Sequence, residues 1–223
     1  MMCNIKRLKN VWGTALLFTL IPILFSCEEQ GPEYVEDYDL VVTTHDAKFK
    51  FAEPTYYEIP DTIVHIVPES SIKDPISHKY DDRTISLIKE ELNSLGYLEA
   101  NETNGATPQL MLTVSAMSTT YVGAISYDWY DYWGWYGWGS YYPWFGPGYS
   151  PWYPYYNSYY AYKIGSVIIQ MIDMENADTK NKKLPIVWEA NISGLLQGSD
   201  SYIQSRIEKN IPQAFDQSTY LGK

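Results

Sequence analysis

The sequence has few cysteines, few histidines and little positive charge. Its 223 residues contain two cysteines, Cys3 and Cys27, so a disulfide framework is excluded once the first residues are removed. Sixteen lysines and arginines stand against 27 acidic residues, which gives a formal net charge of −11. Because nucleic-acid-binding proteins present basic surfaces to phosphate groups, this balance argues against a nucleic-acid partner.

The N-terminal apolar run is too short to span a bilayer. It covers Val11–Phe25, 15 residues, whereas a transmembrane helix needs about 20. A basic head containing Lys6, Arg7 and Lys9 precedes it. This layout predicts a secretory signal peptide over residues 1–26. Its removal leaves 13 basic residues against 27 acidic ones, so the mature chain is still more acidic.

The end of the signal peptide predicts a lipid anchor. Leu24–Cys27 reads Leu-Phe-Ser-Cys and resembles a bacterial lipobox, in which the cysteine thiol is acylated before cleavage. Acyl chains on Cys27 would hold the protein at a membrane, and residues 28–36 would form a short tether. Glu28 and Glu29 resemble the surface-export signal of Bacteroides-type lipoproteins. The alternative is an ordinary signal peptide followed by an incidental cysteine.

Residues 37–223 are predicted to form a single domain that contains two helices. Both segments carry apolar residues at helical spacing, and each has candidate capping residues at its start. Gly96 supplies the left-handed residue after the first helix, and Pro212 is expected to kink the second or to begin a separate turn. The inward-facing positions are Ile85, Ile88, Leu92 and Leu95 after Asp81 or Asp82, and Ile203, Ile207 and Ile211 after Ser199 or Asp200.

Six further segments have strand character. The segment Gln109–Met117 alternates apolar and polar residues, which predicts one face towards water, whereas Tyr162–Met174 is apolar on both faces. The remaining segments are 38–43, 55–59, 62–67 and 186–192. Strands, a helix, more strands and a final helix predict an α+β fold, with a mainly antiparallel sheet and two helices packed on one face.

An aromatic insertion separates the two central strands. Residues 125–160 form it, and 19 of the 34 positions from Tyr127 to Tyr160 are aromatic. Five glycines and four prolines interrupt this stretch, so we expect a long aromatic loop inserted in a β-hairpin. Its tryptophans are the candidate contacts for a partner, because large rings exposed to water favour burial. They are Trp129, Trp133, Trp135, Trp138, Trp144 and Trp152.

Three functions are compatible with this insertion. Exposed Trp and Tyr rings could make the protein a glycan- or peptidoglycan-binding module. They could instead contact another envelope protein or a lipid surface, where Trp and Tyr concentrate at the interface. The insertion could also be a low-complexity segment without a defined partner. Few basic or amide side chains accompany the rings, and this disfavours a sugar site, which needs hydrogen-bonding groups.

Catalytic motifs are absent from the sequence. There is no nucleophile elbow and no phosphate-binding loop, and His45, His65 and His78 share no metal-ligand spacing. His45 and Asp46 are interpreted as turn residues with local hydrogen bonds rather than as a catalytic pair. The adjacent Asp81 and Asp82 are interpreted as helix-capping acids. The sequence therefore predicts a protein that is not an enzyme and has no metal site and no cofactor.

The chain contains a set of short motifs: Asp39–Thr43 with Asp46, Thr55–Tyr57 before Pro60-Asp61, Leu95–Tyr97, Pro108–Leu110, Asp173, Val187–Ala190 with Gly194, and Ala214–Leu221. Together they resemble the motifs of one family. The similarity extends from Asp37 to the C-terminus and identifies the chain as a member of the envelope lipoproteins called domain of unknown function 4136. Gln109 replaces a commoner Asp, and Thr219 a commoner Pro. The resemblance implies an outer-membrane lipoprotein, on the periplasmic side or at the cell surface, and no established activity.

Overall fold

A computed structural model describes most of the chain between residues 41 and 222. The described residues are 41–52, 56–67, 74–101, 103, 105–118, 121–123, 142, 148–152, 160–162 and 164–222. They belong to one compact unit of the chain, Tyr38–Lys223. Within these residues, no helix combines the length and the apolar character that crossing a membrane requires.

The described residues contain two α-helices and ten β-strands. Helix α1 is Asp81–Ser94 and helix α2 is Asp200–Asp216, and short 3-10 turns are present at His78–Tyr80 and Thr219–Leu221. The strands, in chain order, are β1 Val41–His45, β2 Tyr56–Glu58, β3 Val64–Ile66, β4 Leu98–Glu99, β5 Leu110–Met117, β6 Tyr121–Gly123, β7 Ser150–Trp152, β8 Tyr160–Tyr162, β9 Val167–Asp173 and β10 Lys183–Ile192.

The main sheet is mixed, so the prediction of a mainly antiparallel sheet is wrong. Its order is β1-β10-β9-β5-β2-β4, with β3 also paired to β5 and β7 also paired to β10. The pairs among β1, β10, β9 and β5 are antiparallel, whereas β2 and β3 run parallel to β5 and β4 runs parallel to β2. Helix α1 lies between β3 and β5 in the chain, and a connection through a helix returns the chain in its original direction.

The hairpin around the aromatic insertion is formed by β5 and β9. These strands pair antiparallel from Leu110 opposite Asp173 to Ala116 opposite Val167. A second ladder, β6 with β8, continues beyond them as a separate two-stranded sheet. Of the insertion 125–160, the structure describes only residues 142, 148–152 and 160, so the predicted loop conformation lies largely outside the described residues.

Helix α1 has the predicted buried face but a different start. Ile85, Ile88 and Leu92 are buried against the sheet, as their spacing predicts. Gly96 has φ +90° just after the helix, a conformation that glycine adopts without strain. The N-cap residue is Tyr80, however, with no capping side chain, so the prediction of an aspartate cap is wrong. Asp81 instead accepts hydrogen bonds from outside the helix.

Helix α2 also buries its predicted face, and it continues past the proline. Ile203, Ile207 and Ile211 are buried, and one α-helix runs through Pro212 to Asp216. The predicted separate turn after Pro212 is therefore wrong. The missing proline amide does not end this helix, because the residues that follow it, among them Ala214 and Phe215, are buried in the core that the helices share with the sheet.

The sheet is buried on both faces, and this overturns the predicted water-exposed face of β5. All eight residues of β5 are buried, including Thr113 and Ser115, which alternation predicts to face water. One apolar core lies between the helices and the sheet and includes Trp188. A second, smaller core lies on the opposite face, where Met111 and Ile172 pack. The described part of the aromatic insertion packs against this second core.

Candidate functional site

The described part of the aromatic insertion packs on the sheet face opposite the helices. Tyr149 is 5% exposed and belongs to the second apolar core. Tyr142 packs against the same core, and its hydroxyl donates a hydrogen bond to the carbonyl of Pro108. Burial, with smaller contributions from Glu175 and Asp173, raises the pKa of Tyr142 to about 12. At these two positions the aromatic rings are part of the folded domain.

Strand β7 fixes one end of the described insertion to the sheet. It pairs parallel with the first three residues of β10. Trp152, the last residue of β7, is 43% exposed, and Lys183 Nζ lies 5.9 Å from the centroid of its ring. This is near the outer limit of a cation–π contact. Trp152 is thus an exposed ring on an ordered strand, as its candidate role requires.

The other predicted site residues lie outside the described residues. They are the lipidation site Cys27 and the remaining tryptophans of the insertion, namely Trp129, Trp133, Trp135, Trp138 and Trp144.

A row of buried polar side chains crosses the same face of the sheet. Thr113 Oγ1 donates a hydrogen bond to Gln170 Oε1 (3.3 Å), and Gln170 Nε2 donates one to Glu189 Oε2 (2.7 Å). The strand registers place these residues side by side on β5, β9 and β10. Each is at least 98% buried. Such polar groups are tolerated in a core because they are hydrogen-bonded to one another.

A second cluster joins two histidines and two aspartates. His65 lies on β3, Asp74 in the following loop, His78 in the 3-10 turn and Asp81 at the first position of α1. The two imidazole rings are stacked, with centroids 3.7 Å apart and an angle of 7° between their planes. One carboxylate lies at each edge of this stack.

The distances define the two sides of the stack. On one side, Asp74 Oδ2 is 2.5 Å from His65 Nδ1 and 3.9 Å from His78 Nε2. On the other side, Asp81 Oδ2 is 2.7 Å from His78 Nδ1, and Asp81 Oδ1 is 3.7 Å from His65 Nε2. Two backbone amides hold the carboxylates in place: the Ile76 amide donates to Asp74 and the Ile63 amide to Asp81.

Two atoms of this cluster are buried without a hydrogen bond. His65 Nε2 and Asp81 Oδ1 have no hydrogen-bond partner among the described residues. Burial lowers the pKa of His65, but the nearby carboxylates of Asp81 and Asp74 outweigh it, so the pKa of His65 is raised overall. One donor atom from each of His65, Asp74 and His78 lies within 4.8 Å of the other two, close enough for the three to bind one metal ion after small side-chain movements. Imidazole nitrogen and carboxylate oxygen are both ligands of divalent transition metals.

The family assignment follows from a direct match. The model of the family described as "Domain of unknown function (DUF4136)" matches residues 41–218. The chain belongs to the DUF4136 family. The resemblance identified from the sequence motifs is therefore confirmed, and the family has no established function. No curated protein matches the chain.

Solved structures of similar fold include one member of the DUF4136 family. That protein is from Bacteroides thetaiotaomicron and is 25% identical, with a TM-score of 0.58 over 82% of this chain and 97% of the other. A PelC dodecamer from Paraburkholderia phytofirmans also matches, at 12% identity and a TM-score of 0.35, over 82% and 98% of the two chains. The PelC similarity is too low to support a functional argument.

Sequence spacing alone does not reveal the histidine cluster. His65 and His78 are 13 residues apart, on a strand and a 3-10 turn, and they meet only because β3 and the start of α1 are neighbours in the fold. His45, in contrast, stacks on Tyr220 at 3.7 Å, and the carboxylate of Asp46 accepts a local hydrogen bond from the amide of Lys48. The interpretation as a turn residue with local hydrogen bonds therefore holds for Asp46, whereas for His45 it is wrong, because His45 is the last residue of strand β1 and pairs with Trp188.

Proposed function

We propose that this protein is a lipoprotein of the bacterial outer membrane, anchored by acyl chains on Cys27. It faces the periplasm or the cell surface and acts without catalysis, as a structural or interaction protein. The lipobox-like sequence Leu24–Cys27 after a signal peptide supports the anchor. The resemblance to envelope lipoproteins supports the compartment. The acidic composition disfavours nucleic acid as a partner.

The exposure of Trp152 is the observation that carries the interaction role. This ring is 43% exposed, although two tyrosines of the same insertion are packed on the sheet. Pairing of β7 with β10 already orders the backbone at Trp152, so binding of a partner that covers this ring loses little conformational entropy. Large aromatic side chains in this situation contribute strongly to binding. The partner is another envelope protein or the lipid surface.

A glycan is the second candidate for the partner. Lys183 lies beside Trp152 and supplies a hydrogen-bond donor next to an exposed ring, an arrangement that suits a sugar. The first candidate is preferred because few basic or amide side chains occur in the insertion itself.

The anchor is tested by replacing Cys27 with alanine in the full chain. The variant should leave the membrane fraction or accumulate as an unprocessed precursor, because no thiol remains to be acylated. Cys3→Ala is the matched control, since it removes the other cysteine of the chain and lies within the signal peptide. Metabolic labelling with an alkyne fatty acid reports acylation directly. Normal labelling and membrane retention of Cys27→Ala would contradict the proposal.

The interaction surface is tested by a photo-crosslinking amino acid at position 152 in intact cells. Position 98 is the control, because Leu98 is 50% exposed on the strand β4 at another edge of the sheet. We expect a discrete adduct at position 152 that is absent at position 98. Trp152→Ala should then weaken binding to the identified partner roughly tenfold or more, as loss of a central aromatic contact does. Identical adduct patterns at the two positions would refute the assignment of this surface.

Co-sedimentation distinguishes the candidate partners. The full chain in detergent is mixed with purified peptidoglycan, with lipid vesicles or with the crosslinked protein. Binding to peptidoglycan that Trp152→Ala abolishes and Leu98→Ala preserves would favour the glycan candidate.

A further inference from the structure

We propose that His65, Asp74 and His78 bind a divalent transition-metal cation, and that Asp81 orients the two histidines from behind. The donor atoms are His65 Nδ1, Asp74 Oδ2 and His78 Nε2, which lie on the same side of the stacked rings. This site is independent of the membrane anchor and of the aromatic insertion.

The spacing of the donor atoms is close to that of a tetrahedral site. Bonds of 2.0–2.1 Å from Zn²⁺ to nitrogen and oxygen place neighbouring ligand atoms about 3.3 Å apart. Asp74 Oδ2 is 2.5 Å from one imidazole nitrogen and 3.9 Å from the other, so the two distances bracket this value. Changes of less than about 1 Å in the side chains would bring both to it.

Asp81 occupies the position of an orienting carboxylate. A metal-bound histidine usually donates its other N–H group to a carboxylate, which fixes the tautomer and the ring orientation. Asp81 Oδ2 is 2.7 Å from His78 Nδ1, the nitrogen that faces away from the proposed ion. Asp81 Oδ1 is 3.7 Å from His65 Nε2, in the equivalent place for the second ring. One carboxylate therefore serves both histidines.

Ion binding would also resolve the two buried atoms that lack partners. In the neutral form of His65, a proton on Nδ1 donates to Asp74, and Nε2 then faces Asp81 with no proton to donate. A cation on Nδ1 moves that proton to Nε2. The new N–H group can then donate to Asp81 Oδ1, the other unpartnered atom, once the 3.7 Å gap closes. One tautomer change satisfies both atoms.

The ligand set selects the type of cation. Two imidazole nitrogens disfavour Mg²⁺ and Ca²⁺, which prefer oxygen ligands, and favour Zn²⁺ and its neighbours. Two carboxylates supply negative charge that offsets the positive end of helix α1, where Asp81 lies. The side chain of His78 is 61% exposed, which gives an ion access from solvent, whereas that of His65 is 3% exposed. Three protein ligands leave the fourth position for water.

The test measures metal binding by the full chain with Cys3→Ala and Cys27→Ala substitutions, in detergent, so that no thiol competes for the ion. Isothermal titration with Zn²⁺ gives the stoichiometry and affinity, and the visible spectrum of the Co²⁺ complex reports tetrahedral coordination. Asp74→Asn and His78→Gln each remove one ligand at a position that is at least partly exposed. His45→Gln is the matched control, because His45 lies outside the cluster.

We expect one Zn²⁺ per chain, a rise in Tm that chelator reverses, and intense Co²⁺ absorption bands. Each ligand substitution should weaken Zn²⁺ binding by roughly 100-fold or more, whereas His45→Gln should leave it unchanged. Thermal unfolding of each variant in the absence of metal is the folding control, and a cooperative transition would show that the fold is intact. Absence of stoichiometric binding by the parent chain, or unchanged affinity in Asp74→Asn and His78→Gln, would overturn the proposal and leave the cluster as two stacked histidines that are hydrogen-bonded to aspartates.

Discussion

Replacing Glu58 with glutamine should stabilise the protein at pH 8 and leave its stability nearly unchanged at pH 5. Glu58 is the last residue of β2, and its Oε2 atom is buried with no hydrogen-bond partner among the described residues. Burial, followed by the nearby charges of Glu99 and Asp61, raises the pKa of this carboxyl from 4.5 to about 7. The folded protein therefore binds this proton more tightly than the unfolded chain does.

The sign and size of the effect follow from this difference. Between pH 4.5 and pH 7 the unfolded chain loses the proton while the folded protein keeps it, so stability falls as pH rises through this window and the loss is complete above it. Without solvent screening, a pKa shift of this size corresponds to a loss of about 3 kcal/mol in the free energy of unfolding. Because Glu58 is partly exposed and solvent screens its charge, we expect about 1–2 kcal/mol.

Urea unfolding of the parent protein and of Glu58→Gln between pH 5 and pH 8 measures this prediction. Glutamine has nearly the same shape and cannot ionise, so the advantage of the variant over the parent should grow above pH 5 and reach its full size of about 1–2 kcal/mol above pH 7. Glu175→Gln is the control, because it makes the same substitution at an exposed turn position. A stability difference that does not change with pH, or a variant that is less stable at pH 8, would refute the reasoning.

Two further substitutions test the packing of the larger core by urea unfolding. The Tyr97 hydroxyl is buried within hydrogen-bond distance of the carbonyls of Phe51 (2.9 Å) and Leu221 (3.0 Å). Tyr97→Phe should therefore lower the free energy of unfolding by about 1–3 kcal/mol, and an unchanged stability would contradict these contacts. Trp188→Phe should also lower the free energy of unfolding by about 1–3 kcal/mol, because it removes the indole hydrogen bond to Ser218 (3.0 Å) and leaves a small void beside Phe215. A variant as stable as the parent would exclude this packing.

The helices were predictable because their signals are local. Ile85, Ile88 and Leu92 recur at helical spacing, and Gly96 marks the end of α1. A helix needs only its own residues to make its backbone hydrogen bonds, so its pattern is complete within one segment. The direction of strands β2 and β3 could not be predicted in this way. Each of these strands has three residues, and the strand with which both pair, β5, lies beyond α1 in the chain. Strand direction depends on that connection rather than on local sequence.

The burial of β5 and the histidine cluster both depend on distant residues. Thr113 is polar and alternates with apolar neighbours, as a water-facing residue does, yet its partner Gln170 is 57 positions away. His65 and His78 lie on separate elements, and Asp81 appears in the sequence as a helix-capping acid. In each case the sequence identifies a polar side chain, but only the fold shows which other polar side chain it meets.

The composition of the insertion is consistent with the face on which its described residues pack. That face carries apolar side chains such as Met111 and Ile172, together with the buried polar row that includes Gln170. A tyrosine side chain suits such a surface, because its ring covers apolar atoms while its hydroxyl forms a hydrogen bond. Tyr142 does both, since its ring packs on the second core and its hydroxyl donates to a backbone carbonyl.

Trp152 has the opposite arrangement within the same insertion. Its ring is exposed at the end of a strand that the sheet orders, so it contributes little to the core and remains accessible to a partner. Tyr149, three residues earlier, is buried. The described residues thus divide the insertion into tyrosines that attach it to the domain and a tryptophan that it presents to solvent. This division supports an interaction role more strongly than the aromatic content of the sequence alone, because an exposed ring on a fixed backbone is already arranged for binding.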